Sequence, residues 1–314
     1  MTFDLTDTTT GAIANALTEA RHRVGGMTTG MVLTLIIVTD EAAQYDAIRA
    51  ANEAAREHPC RILAVITRKP KSDSRLDAEI RVGEGSPGET IVLRMYGPLG
   101  QHADSVVAPL LVPDVPVVTW WPDEPPTEPA SQPLGALAQR RVTDSAATDS
   151  ATATAHDILM RLAKAYQPGD TDFGWTRATP WRSVIAATLD QQVPPLREAE
   201  VAAESGNPTA DLIAAWLRVR LDIPVRRTDS AGPGITAVTF STEGGDISLT
   251  RTDGRTAILA WPGRPERSVA LHRRESAELL AEELRRLDPD EVYAETLRAL
   301  GTFRVPVAPW TGDA

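Results

Sequence analysis

Few residues of this chain have a type and spacing that could do chemistry. The five histidines, at positions 22, 58, 102, 156 and 272, are dispersed, and none has another histidine three or four residues away to complete a helical metal-ligand pair. Cys60 is the single cysteine, which excludes an internal disulfide and a cysteine-based zinc site. His58 stands beside it, but a Cys–His nucleophile needs a third, orienting group, and His58-Pro59-Cys60 reads more simply as a connection from a helix to a strand. The glycines of "GEGSPGET", Gly83, Gly85 and Gly88, invite a phosphate-loop reading. That reading fails because no Gly-Lys-Ser/Thr follows and the next element is a strand, so a hairpin turn is expected. No serine occupies a Gly-x-Ser-x-Gly elbow, and the carboxylates form no spaced pair distinct from a solvated acidic surface. The expectation is a chain with no catalytic residue, no metal and no cofactor of its own.

What stands out instead is aromatic. In "VPVVTWWPDEPP", residues 115 to 126, a buried-looking strand runs into adjacent tryptophans and then an acidic, proline-rich turn. Successive strand residues point to opposite faces, so Trp120 and Trp121 cannot both enter one core from a regular strand. At least one ring should face away from the core that takes its neighbour, where a partner or a second domain would cover it. Trp216 and Trp261 lie on apolar faces and are assigned to the core, whereas Trp175 and Trp181 bracket "DFGWTRATPWRS".

The elements that must position these residues can be read in order. A helix is expected from Ala12 to Arg23, ended by Gly25 and Gly26. The β-branched run "MVLTLIIVT" is a strand, Asp40 can cap the alanine-rich helix after it, and "RILAVIT" is a second strand at the spacing of a right-handed parallel crossover. "AEIRV" and "TIVLRMY" form a hairpin beside that unit, "ADSVVAPLLV" a short helix, and "VPVVTWW" another strand. Pro122 to Pro133 is a loop, because prolines at 122, 125, 126, 129 and 133 oppose both regular structures. A helix from about Ala151 to Tyr166 follows, and "QPGDTD" breaks the pattern. The second half shows three capping residues followed by proline, at Thr179-Pro180, Asn207-Pro208 and Asp288-Pro289, each read as a helix start. It continues through a meander of four strands with a turn at Asp253-Gly254, and two helices close the chain. The fold class is therefore α/β: an open α/β sheet domain over residues 1–168, then an α+β domain with a mostly antiparallel sheet over residues 169–314.

Composition limits the function further. At 314 residues the chain is long enough for two ordinary domains, and a net charge of −11 without a basic run argues against nucleic acid as a partner. No apolar run approaches the roughly 20 residues of a membrane helix, and the acidic start "MTFDLTDTTT" lacks a secretory pattern, so a cytoplasmic protein without a membrane partner is expected.

Six blocks, "MVLTLIIVTDE", "HPCRILAVI", "PLLVPDVPVVTWWPDEPP", "DFGWTRATPWRSVIA", "AAWLRVRLDIPV" and "EELRRLDPDEVYAETL", resemble in this order the glucose-6-phosphate dehydrogenase assembly protein family, over roughly residues 30 to 302. The resemblance implies a non-catalytic partner of glucose-6-phosphate dehydrogenase that favours its active oligomer or conformation in the oxidative pentose phosphate pathway. Thiol regulation is associated with photosynthetic members, and a lone Cys60 cannot form an intramolecular switch. On this reading Trp120, Trp121, Asp123, Glu124, Arg177 and Arg182 are the expected partner-contact residues. The rival is a sugar-phosphate- or nucleotide-binding protein or enzyme with its site between the two domains, using Arg177, Arg182 or His58. A scaffold without kinetic effect is a third possibility.

Overall fold

Leu33 to Thr39 are buried at every position but Val38, as only a strand covered on both faces can be. The computed structural model describes residues 1–24, 30–68, 72–83, 88–147, 153–251, 253–302 and 307–308. The expected stops Gly25 and Gly26, and Gly85 of the hairpin turn, lie outside these residues. The chain opens with β1 (Thr2–Leu5) and α1 (Thr10–Val24), and the buried run is β2. After it come α2 (Gln44–Ala54), β3 (Cys60–Arg68), β4 (Arg75–Val82), β5 (Glu89–Tyr96), α3 (Ala103–Val107), β6 (Val117–Trp120), α4 (Pro133–Ala136) and β7 (Arg140–Thr143). The middle of the chain holds α5 (Ala155–Ala165), β8 (Asp170–Asp172), α6 (Phe173–Leu189), β9 (Leu196–Ala203), α7 (Pro208–Leu221) and β10 (Val225–Asp229). The last elements are β11 (Ile235–Thr242), β12 (Ile247–Thr250), β13 (Thr256–Ala260), β14 (Arg267–Ala270), α8 (Ser276–Arg285), α9 (Glu291–Thr302) and β15 (Val307–Ala308).

Two compact units result. The first holds Met1–Ala147, Gln167–Thr171 and Glu275–Pro289, and the second Thr148–Tyr166, Asp172–Arg274 and Asp290–Ala314. The position read as the boundary, residue 168, falls in the short Gln167–Thr171 segment of the first unit. The later segment of that unit carries α8, which packs on α2. A buried ion pair fixes it: Arg140 of β7 donates from Nε to Glu283 Oε2 at 2.8 Å, and from Nη1 to the Asp288 carbonyl at 3.0 Å.

The first sheet has the order β1-β4-β5-β3-β2-β6-β7-β8. β2 pairs in parallel with β3 and β6, β3 with β5, and β6 with β7, while β4 and β1 add an antiparallel edge. Numbered in chain order, strands β2, β3, β5, β6 and β7 lie 3-2-1-4-5 across the sheet, the order of a doubly wound dinucleotide fold, with β8 outside β7. The expected hairpin is the antiparallel β4–β5 pair.

The second sheet runs β14-β13-β12-β11-β9-β10-β15, antiparallel from β14 to β9, with β10 parallel to both its neighbours. Its core joins Val201, Val238 and Phe240 to Ile213 and Leu217 of α7 and to Trp181 of α6. This is the expected α/β architecture, an open sheet and a mostly antiparallel one.

Two helix starts differ from expectation. Pro180 lies inside α6, which begins at Phe173 where Asp172 Oδ1 accepts the Gly174 amide. Asp288-Pro289 precedes α9 by a turn, and Asp290 Oδ1 takes the Tyr293 amide instead. In both places the carboxylate that caps the helix is not the residue before proline. Asn207-Pro208 does start α7, with Asn207 Oδ1 accepting the Ala210 amide at 3.0 Å.

Candidate functional site

In open α/β sheets ligands collect beyond the carboxyl ends of the strands where the strand order reverses. Here that place is the crevice between the ends of β2 and β6, a cavity of about 410 Å³ lined by Ala43, Asp46, Trp120, Asp123, Asp144 and Glu275 among others. It lies wholly within the first unit. The loop from β2 into α2 is Asp40-Glu41-Ala42-Ala43, without glycine. Asp40 folds its carboxylate back so that Oδ1 accepts the amides of Ala42 at 2.8 Å and Ala43 at 2.9 Å. Across the crevice, Thr39 Oγ1 donates to Asp123 Oδ2 at 2.8 Å. Burial pushes the Asp123 carboxyl above the usual carboxylate range, the Thr39 hydrogen bond opposes this, and the charges of Asp40 and Asp144 push it further up.

An acid bound more tightly by protons in the folded than in the unfolded state loses stability as pH rises from its unfolded toward its folded pKa, so ionised Asp123 destabilises the fold. Asp123→Asn keeps an oxygen to accept from Thr39 and removes the charge. It should raise the melting temperature at pH 7 by a few degrees and leave it unchanged at acid pH, read by calorimetry at both.

Both rings of the tryptophan pair are buried, Trp120 at 2% exposure and Trp121 at 5%. Trp121 lies just past the end of β6, its amide donating to the Val142 carbonyl of β7. Gly135 of α4 lies against it: a methyl added there would stand 3.2 Å from Trp121 Cη2 and 1.9 Å from the Pro129 carbonyl oxygen. α4, which follows the acidic loop, therefore packs against Trp121. Within that loop Pro129–Ser131 make a single 3₁₀ turn and Pro133 opens α4.

Asp123 is half-buried at the crevice and Glu124, next to it in sequence, is exposed. In the second unit Arg177 and Arg182 are half-exposed on α6. The Arg182 guanidinium lies 3.6 Å from the Trp175 ring centroid and donates to Thr179 Oγ1, and Arg177 lies over Phe173. Four of the six expected contact residues thus share one neighbourhood of the first unit, and two share a helix of the second.

His58 and Cys60 form no reactive pair. Cys60 is fully buried at the start of β3, and burial pushes its thiol up to about 12. Since the thiolate is the reactive form, Cys60 should resist a disulfide reagent at pH 8 in the folded protein and react at once in denaturant, one thiol per chain. Rapid reaction of the native protein would contradict the buried placement. Among the described residues no three His, Cys, Asp or Glu side chains are grouped to hold a metal ion. No helix among them is long and apolar enough to cross a membrane.

Sequence reading missed Asp144, whose place in the crevice depends on β7. The one signal of the crevice available in advance was the absence of glycine after β2.

In fold, the chain is similar to KijD10, a 3-ketoreductase from Actinomadura kijaniata solved with NADP and TDP-benzene, at 12% identity and a TM-score of 0.50, over 88% of this chain and 98% of that one. An oxidoreductase from Sinorhizobium meliloti matches at 11% identity and a TM-score of 0.45, over 85% and 86% of the two chains. No curated protein matches in sequence. Residues 51–163 match the family model for the glucose-6-phosphate dehydrogenase subunit N-terminal domain, and residues 168–297 the model for the C-terminal domain. With the two halves matched in order over most of its length, the chain belongs to the OpcA family of glucose-6-phosphate dehydrogenase subunits.

Proposed function

We propose that the protein is a non-catalytic, cytoplasmic assembly subunit that binds glucose-6-phosphate dehydrogenase and favours its active oligomer or conformation, so acting in the oxidative pentose phosphate pathway. The observation that carries this reading is the pair of consecutive family matches spanning residues 51–297. The mechanism is linkage. A subunit that binds one state of the enzyme more tightly shifts the population toward it by the ratio of the two affinities. A tenfold preference, about 1.4 kcal/mol, changes a balanced equilibrium into one dominated by the favoured state.

The contact surface on the first unit is assigned to Asp123 and Glu124, with Trp120 and Trp121 buried beneath them as support; on the second unit it is assigned to Arg177 and Arg182. Glu124 is exposed, so its reversal tests contact without disturbing a core. Glu124→Arg should weaken binding to the dehydrogenase several-fold, measured by biolayer interferometry, with the melting temperature unchanged.

The test of function is a titration of this protein into purified glucose-6-phosphate dehydrogenase from the same organism. Initial rates of NADP reduction would be read across glucose 6-phosphate concentrations. A saturable change in KM or kcat is expected. Measured binding with no change in rate or oligomer would leave only a scaffold, and no binding would refute the reading.

A further inference from the structure

The first unit has the strand order of a dinucleotide-binding sheet, and the fold is shared with a reductase solved with NADP. The residues at the crevice do not fit that cofactor. A dinucleotide needs a glycine-rich turn after the first parallel strand, so that backbone can approach the pyrophosphate, and free amides at the start of the next helix to bind it. No glycine occurs from residue 31 to residue 82, which spans the whole of β2, α2 and β3. The amides of Ala42 and Ala43, in the turn just ahead of α2, already donate to the Asp40 carboxylate. An internal anion thus occupies two of the turn amides that a phosphate would use.

The electrostatics act in the same direction. Asp46, Asp123, Asp144 and Glu275 line the cavity, and Asp123 feels both Asp40 and Asp144 strongly enough to raise its pKa, after burial itself. Arg49 lines the same cavity and pairs with Asp46 at 2.8 Å, so these two cancel, and with Glu53, Asp123, Asp144 and Glu275 the lining stays net acidic. A pyrophosphate carries two negative charges and would enter a crevice whose walls repel it. The end of β3, where a ribose would be held, runs into residues 69–71, which lie outside the described residues.

We infer that this crevice excludes dinucleotides: the β2–α2 turn is closed on the Asp40 carboxylate in place of a pyrophosphate, and the unit keeps the architecture of a nucleotide-binding domain without its ligand. Hydride chemistry then has no cofactor to use at this crevice. The inference stands apart from the proposed activation, since either can fail while the other holds.

The test uses the isolated full chain. Titration with NADPH, NADP, NADH and NAD, followed by fluorescence or equilibrium dialysis, should show no saturable binding into the millimolar range. Hydrogen exchange with each dinucleotide at millimolar concentration should leave the protection of residues 40–47 unchanged. Saturable binding of one dinucleotide per chain with new protection at residues 40–47 would overturn the inference. Binding that protects a different segment would leave exclusion from this crevice upheld. Neither readout involves the dehydrogenase.

Discussion

Glu89→Ala is expected to lower the unfolding free energy by about 3–5 kcal/mol, the cost of leaving a buried charge without its partner. Glu89 is wholly buried at the start of β5. Its Oε2 accepts Arg61 Nε and Arg21 Nη2, both at 2.9 Å, and its Oε1 accepts Arg21 Nε. Arg61 is itself buried on β3, with Nη1 also donating to the Leu110 carbonyl. The cluster thereby ties α1, β3, β5 and the turn after α3 into one edge of the first unit. Burial alone would raise the Glu89 pKa, but the Arg21 hydrogen bond and the charges of Arg61 and Arg21 outweigh it and hold the carboxyl below its ordinary 4.5. A depressed carboxylate contributes stability above its unfolded pKa and loses it as pH falls through the folded one. The wild type should therefore weaken below about pH 4.5, and the difference between wild type and Glu89→Gln should shrink in the same range. Denaturant titrations at pH 7 and at acid pH read both effects. A loss under 1 kcal/mol at pH 7 would mean that Arg61 finds water on its own.

That cluster also shows where sequence reading stops. The central strands were legible because apolar and β-branched residues dominate them, as in β2 and β3, in short runs beside an alanine-rich helix. The meander from β11 to β14 was legible from alternation and turn residues. By contrast β7, "RRVT", was not read as a strand although all four residues are buried. Its two arginines can be buried only because Glu283, 143 residues away in sequence, and Asp170, 29 away, neutralise them, and nothing local announces such partners. β9, "LREAEVAA", alternates correctly but is built from glutamate and alanine, which are poor strand formers, so tertiary pairing with β10 and β11 decides it. The cover of the tryptophan pair was hidden from the sequence for a related reason. Opposite-facing rings called for cover on both sides, and α4 of the same unit packs against Trp121 through Gly135. Proline content revealed that the segment was irregular but not where it would lie.

Asp211→Ala should destabilise the second unit as strongly as Glu89→Ala does the first, by about 3–5 kcal/mol. Arg227 of β10 is 1% exposed, and Asp211, in the first turn of α7, accepts its Nε at 3.0 Å. Arg227 Nη1 is bonded to the carbonyls of Val201 and Thr228, which supply no charge, so without Asp211 the guanidinium is buried uncompensated. The second oxygen of Asp211 faces His156 Nδ1 at 2.8 Å, and that hydrogen bond raises the His156 pKa above 6.5, against burial, which lowers it. A raised histidine contributes stability that is complete below its unfolded pKa and disappears as pH rises through the folded one. His156→Ala should therefore cost stability at pH 6 and little at pH 9, whereas Asp211→Ala should remain costly at both. His156 is half-exposed, so its effect should be the smaller. Replacing both charges, as Asp211→Leu with Arg227→Met, should recover much of the loss if buried charge is its cause. Chemical denaturation of the three variants at both pH values separates the two interactions. If the double variant is as unstable as Asp211→Ala, the loss is due to packing of α7 on β10 and not to an unpaired guanidinium.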